Sequence, residues 1–145
     1  MATTYAERVP TWFWIVSGLA LLWEAMGCYS YVMHVSMSAD QIAALPEGER
    51  QLMVGVPIWA TAAFAIATWG GLAAAIGLLM RRSWARTLFM VSLAAILVQF
   101  GWWFLVARAG DVLGSSAYGL PVAIIVIGAA LVWFSTMAGK RGWLR

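Results

Sequence analysis

The sequence predicts an all-α integral membrane protein, a bundle of four transmembrane helices with both termini on the cytoplasmic side. Of its 145 residues, 63% are hydrophobic and only 10% are charged, a balance unlike that of a soluble domain. Each of four apolar stretches is close to the length of a membrane-spanning helix, roughly 17 to 25 residues, and the four cover 12–35, 57–80, 87–106 and 121–138. A single transmembrane domain over 1–145 follows.

The first apolar stretch, 12–35, resembles a secretory signal in that small residues follow it at Ser36-Met37-Ser38. It is longer than the apolar region of a signal peptide, and Glu24 interrupts it. We therefore predict a retained transmembrane helix.

The segment 38–56, which joins the first two spans, is predicted to form short helices on the outer membrane surface. Ser38 and Gln41 have the spacing of a capping box, and Pro46 suits the first turn of a second helix. A lid that covers the bundle is favoured over a binding loop. The apolar residues that would face the bilayer are Ile42, Leu45, Leu52, Met53 and Val56.

The distribution of basic residues predicts the orientation. Short loops rich in Lys and Arg stay cytoplasmic, and seven basic residues on one side against two on the other predict a protein of the bacterial inner membrane with both termini in the cytoplasm. The seven are Arg8, Arg81, Arg82, Arg86, Lys140, Arg141 and Arg145, and the two are Arg50 and Arg108. The net charge of +3 is thus explained by topology, so the predicted partner is the lipid bilayer and no nucleic acid is expected.

The first span carries one carboxylate near its middle, Glu24. A charged carboxyl at that depth costs several kcal/mol, so such residues face the interior and find a partner or a proton. We expect Glu24 to be neutral and to face the other helices, because it belongs to a helical stripe of small and polar residues. That stripe comprises Ser17, Ala20, Glu24, Gly27, Cys28 and Tyr31.

Polar residues at matching depth predict a binding layer around Glu24. Counted from the inner end of each predicted span, Glu24, Gln99 and Thr68 each lie twelve residues up, about 18 Å. Two interpretations are open: interhelical hydrogen bonding, or a proton-binding or cation-binding site. Trp23, beside this layer, and Tyr31, on the stripe, complete the predicted site.

The second span is rich in small residues that allow close helix approach. Two small-x-x-x-small pairs run through it, Ala67 with Gly71 and Gly70 with Ala74. We expect them to seat this span inside its own bundle, although an oligomer contact would use the same surface.

Other chemistry is poorly supported by the sequence. The single histidine, His34, is a candidate axial ligand for a haem iron or a pigment magnesium, although a structural role is favoured. One cysteine, Cys28, cannot close a disulfide within the chain, and no Cys/His cluster has metal-ligand spacing. No metal or cofactor is therefore expected. Paired catalytic groups are also missing, so we do not predict an enzyme.

Three segments resemble a family of uncharacterised small bacterial four-helix membrane proteins, some of which carry the label sugar transporter. They are the stretch from Trp12 to Trp23, Pro57 to Phe64, and Gly142-Trp143-Leu144-Arg145. The resemblance implies a transport role without assigning it to a residue, and the layout also looks like the DoxX-like families. Glu24-Ala25-Met26-Gly27 resembles the E-x-x-G of small multidrug resistance transporters, although the longer first loop and strong charge bias here argue against antiparallel pairing.

Two functions follow as expectations. The favoured one is a non-enzymatic accessory or assembly subunit of a larger inner-membrane complex, which needs only a stable topology and helix faces able to dock. The alternative is a small-solute transporter, proton-coupled through Glu24, that acts as an oligomer.

Overall fold

A computed structural model describes residues 8–145, which are helical and contain no strand. The prediction of four apolar helices is confirmed, because the described residues contain four helices that are long enough and apolar enough to cross a bilayer. They are α1 (Thr11–Val35), α4 (Ile58–Leu79), α5 (Trp84–Gly101), which continues as a π-helix over Trp102–Val106, and α7 (Gly119–Lys140).

Short helices connect the long ones at one end of the molecule. Between α1 and α4 lie α2 (Ala39–Ala43) and α3 (Glu47–Val54); between α5 and α7 lie α6 (Ala109–Leu113) and a 3₁₀ turn at Gly114–Ala117. The predicted capping box is confirmed, since the Gln41 backbone N–H donates to Ser38 Oγ at 3.2 Å and the Ser38 N–H donates to Gln41 Oε1 at 2.8 Å.

The long helices pack in the order of the chain: α1 on α4, α4 on α5, and α5 on α7. Helix α4 is therefore flanked on both sides, and its small residues allow this close approach. At Gly77 an added Cβ would lie 2.6 Å from an atom of the Trp84 ring. The buried residues of α4 are Ala60, Ala63, Ala67, Thr68, Gly71, Ala74, Ala75, Gly77 and Leu78.

An aromatic cluster joins the beginning of α1 to the end of α7. Phe13 stacks on Phe134 at 5.7 Å and meets the Trp143 ring edge-on at 5.8 Å. We call these three residues the terminal seal. Backbone hydrogen bonds fix the segment after α7, because the Ser83 N–H donates to the Arg145 carbonyl at 2.8 Å and the Arg145 N–H donates to that of Arg81 at 2.6 Å.

The opposite end is covered by the connecting helices. Leu52 of α3 packs with Ala109 and Ala117 in a small buried cluster, which we call the loop cap. Helix α3 approaches α6 closely, since an added Cβ at Gly48 would lie 3.0 Å from a methyl of Val112. The terminal seal and the loop cap thus close the two ends of the space between the four long helices.

Candidate ligand cavity

A cavity of about 620 Å³ lies between the terminal seal and the loop cap. All four long helices line it, together with residues of α3 and of the turn before α7. Its volume is in the range of small-molecule sites, roughly 300 to 1,000 Å³. Most of its lining residues are apolar.

Glu24 lines this cavity from α1, opposite Gly71 of α4. An added Cβ at Gly71 would lie 2.6 Å from the carboxyl carbon of Glu24, so a larger residue there would force the carboxyl to move. Within residues 8–145, Glu24 makes no side-chain hydrogen bond or ion pair. Its carboxyl is therefore available to a molecule in the cavity.

The hydroxyl and thiol groups near Glu24 donate their protons to backbone carbonyls. Thr68 Oγ1 donates to the carbonyl of Phe64 at 2.9 Å, and Ser92 Oγ donates to that of Ala67 at 2.6 Å. Cys28 Sγ donates to the Thr68 carbonyl at 3.3 Å. Because a hydroxyl has a single proton, Thr68 and Ser92 can offer only acceptor lone pairs to the cavity that both line.

Gln99 also lines the cavity but not at the depth of Glu24. The hydrogen bond from Ser92 to the Ala67 carbonyl places these two residues at the same depth in the molecule. Gln99 follows Ser92 by two turns of α5 and therefore lies about 10 Å nearer the loop cap. There it borders a side pocket shared with His34, Thr61 and Trp102. The predicted single layer of Glu24, Thr68 and Gln99 is therefore wrong. Counting from 87 accounts for about 4.5 Å of this error, because α5 begins three residues earlier, at Trp84.

Two of the remaining predicted residues, Tyr31 and His34, contact Phe64. Tyr31 and His34 each meet the Phe64 ring edge-on, with centroids 5.3 and 5.5 Å apart. His34 and Trp23 line the cavity, whereas Tyr31 is not among the described residues that do so. No group of three or more His, Cys, Asp or Glu side chains within the described part of the chain is placed to hold a metal ion.

Sequence reasoning missed most of the other lining residues, among them Ser92 and Trp103. Ser92 is a lone serine in an apolar run, and no sequence pattern marks it as a cavity residue. Trp103 lies in the π-helical stretch of α5, a local widening of the helix that often occurs at functional sites. Its indole N–H is buried and has no hydrogen-bond partner among the described residues.

The cavity opens sideways between α1 and α7. Met26 of α1 and Leu120 of α7 both line it, yet they are 61% and 67% exposed. These two helices meet at the terminal seal, and in the described part of the chain they are not among the helix pairs that pack along their length. The opening therefore faces the surroundings of the long helices rather than either end of the molecule.

No protein-family model matches the chain, and neither a curated protein nor a solved structure is significantly similar to it.

Proposed function

We propose that the protein is a non-enzymatic transporter that binds a small solute in the cavity, with Glu24 as the group that exchanges a proton. The observation that carries this proposal is the carboxyl of Glu24 at the wall of a cavity of about 620 Å³ lined by all four long helices. An accessory or assembly subunit needs only docking surfaces, so that function does not account for such a space. The geometry therefore favours the transport alternative.

The proposed location is the bacterial inner membrane, with the four helices as a transmembrane bundle and both termini in the cytoplasm. The charge distribution supports this, because the basic connection between α4 and α5 lies at the terminal seal. The loop cap would then lie outside. A single chain holds the whole cavity, so binding requires one copy. Release to the cytoplasm would require the terminal seal to open, and an oligomer would support that movement.

The first test asks whether a molecule dissolved in the bilayer reaches a neutral Glu24. Dicyclohexylcarbodiimide partitions into membranes and reacts with protonated carboxyls. We expect it to modify Glu24 in the protein held in lipid nanodiscs, with the site identified by mass spectrometry of peptides. Glu47, which is exposed on α3, should react far less. An unmodified Glu24 would contradict the proposal.

A matched pair of glycine variants tests whether the reagent arrives through the cavity. Gly128 lines the cavity on α7, whereas Gly139 on the same helix is exposed with open space around it. We expect Gly128→Phe to reduce modification of Glu24 at least about fivefold by filling the cavity, and Gly139→Phe to leave it unchanged. Equal modification in both variants would mean that Glu24 is reached by another route.

A further inference from the structure

We propose that the solute of the cavity is an uncharged single-chain lipid of the monoacylglycerol kind, which enters sideways from the bilayer and binds with its head group near the loop cap. This inference rests on the proposed function, since it names the class of solute that the same cavity carries. Three features support it: a cluster of uncharged hydrogen-bonding side chains near the loop cap, a mainly apolar path about as long as one leaflet is thick, and an opening on the side of the molecule.

Three uncharged polar side chains line the cavity at the end near the loop cap, and we call them the head-group cluster. They are Gln99, His34 and Trp103, and all three also border the side pocket, which places them together. Gln99 and His34 make no side-chain hydrogen bond within residues 8–145. The buried indole N–H of Trp103 also has no partner there.

The hydrogen-bonding capacity of the head-group cluster fits a head group with both hydroxyls and ester oxygens. The amide of Gln99 and a neutral imidazole at His34 each offer a donor and an acceptor, whereas the indole of Trp103 offers a donor only. An ester carbonyl would accept from the Trp103 N–H, and the hydroxyls of a glycerol group would pair with the other two side chains. Each buried polar group would then be satisfied.

The surroundings of the head-group cluster disfavour a charged head group. None of the described lining residues is a lysine or an arginine, so a phosphate or a carboxylate would find no opposite charge. Glu49, which lines the cavity from α3, would repel either anion. A quaternary ammonium has no acceptor for the buried Trp103 N–H, so the cost of desolvating that group would not be recovered.

A mainly apolar path leads from the head-group cluster to Glu24. Glu24 lies opposite Gly71, which follows Ala67 by about one turn in the direction away from the loop cap. Glu24 and Gln99 are therefore about 16 Å apart along the helix axes. One leaflet of the hydrocarbon core is about 15 Å thick, so an acyl chain with its head group at the cluster ends beside the Glu24 carboxyl. The apolar residues that line this part of the cavity include Phe64, Ile96, Phe100 and Ile124.

The side opening determines how the solute enters. The loop cap covers one end of the cavity and the terminal seal closes the other. The remaining path runs between α1 and α7, two helices that are apolar enough to lie in a bilayer. Met26 and Leu120, both largely exposed, flank this path. A solute that uses it must dissolve in lipid, as a monoacylglycerol does.

Probes with the same oleyl chain separate the head group from the chain. Monooleoylglycerol has an uncharged head group, oleate a negative one and oleyltrimethylammonium a positive one, and octadecene has none. With native mass spectrometry of the protein in detergent micelles, we expect monooleoylglycerol to bind at least about tenfold more tightly than the other three. In nanodiscs it should also protect Glu24 of the wild-type protein from dicyclohexylcarbodiimide, because its chain covers the carboxyl.

Two tryptophan variants locate the head group. Trp103→Phe keeps an aromatic ring but removes the N–H, and it should weaken monooleoylglycerol binding about threefold or more, the loss expected for one hydrogen bond. Trp59→Phe lies on the exposed surface near the beginning of α4 and should bind as the wild type does. Thermal unfolding of both variants checks that they are folded.

The outcomes separate this inference from the proposed function. The inference is overturned if oleate, the ammonium or octadecene binds as tightly as monooleoylglycerol, or if Trp103→Phe binds monooleoylglycerol normally. Carbodiimide modification of Glu24 alongside either result would leave the proposed function standing with a solute of another class. Selective binding of monooleoylglycerol to a protein whose Glu24 is not modified in the absence of that lipid would support the lipid site and contradict proton exchange at Glu24.

Discussion

At the scale of single residues, the position of Glu24 depends on the glycine that faces it. The carboxyl fills the space where a side chain at Gly71 would begin, so the acid and the glycine form one structural unit. The neighbouring Gly70 has open space around it. Two adjacent glycines in α4 therefore have different roles, one making room for the carboxyl and the other facing outward.

The variants Gly71→Ala and Gly70→Ala test this difference. Gly71→Ala should lower the free energy of unfolding by up to about 1 kcal/mol, because the new methyl forces the flexible Glu24 side chain to turn away from α4. Gly70→Ala should be neutral or stabilising by up to about 1 kcal/mol, since alanine has the higher helix propensity. Denaturant unfolding in detergent micelles, followed by tryptophan fluorescence, measures both. Equal effects would show that the two positions are equivalent.

The sequence predicted part of this site for physical reasons. The cost of a charge in lipid indicated that Glu24 would face the interior, and the spacing of small residues indicated that α4 would be packed closely. The depth of Gln99 was not predictable by counting, because an error of three residues at the start of α5 shifts a side chain by about 4.5 Å. Hydrogen bonds such as that from Ser92 to Ala67 depend on the rotation of two helices, which composition does not set.

At the scale of elements, the terminal seal is the contact that ties the first long helix to the last. Trp143 is 1% exposed and packs against Phe13, whereas Trp133 of α7 is 65% exposed. One tryptophan is therefore part of the interior, and the other lies on the outer surface of the helix.

Replacing each tryptophan with alanine should have unequal effects. Trp143→Ala should cost about 3 kcal/mol or more, because a large buried ring is removed. Trp133→Ala should cost less than about 1 kcal/mol, since lipid or detergent can replace its contacts. Thermal unfolding in the same detergent compares the two directly, and a larger loss in Trp133→Ala would show that the outer face of α7 is itself a packing surface.

Among the elements, the four long helices and the capping box were readable because length, apolarity and cap spacing each have a direct structural cause. The π-helix at Trp102–Val106 was not, since one extra residue per turn leaves no mark on an apolar sequence. This element matters to the cavity because it contains Trp103.

At the scale of the whole molecule, the sideways opening follows from the order of packing. Each long helix packs on its neighbour in the chain, so α1 and α7 are left at the two edges and meet at the terminal seal. The cavity is the space that remains between these edges. Mobility of α1 or α7 would change its width without disturbing the contact of α4 with α5.

The proposed orientation is tested by single cysteines in a Cys28→Ala background. Ser83, between α4 and α5, and Ser115, between α6 and α7, are both exposed and lie at opposite ends of the molecule. A membrane-impermeant maleimide added to intact bacteria whose outer membrane is permeabilised should label Ser115→Cys. It should label Ser83→Cys only after the inner membrane is broken. The reverse pattern would place the termini outside.

The terminal seal also constrains the timing of biosynthesis. Phe13 lies near the beginning of α1, and its partner Trp143 follows the end of α7. The ribosome synthesises the N-terminal segments first. Helix α1, with Glu24, must therefore stay in the membrane before Gly71 has been made, and it meets its aromatic partners only when synthesis has passed α7.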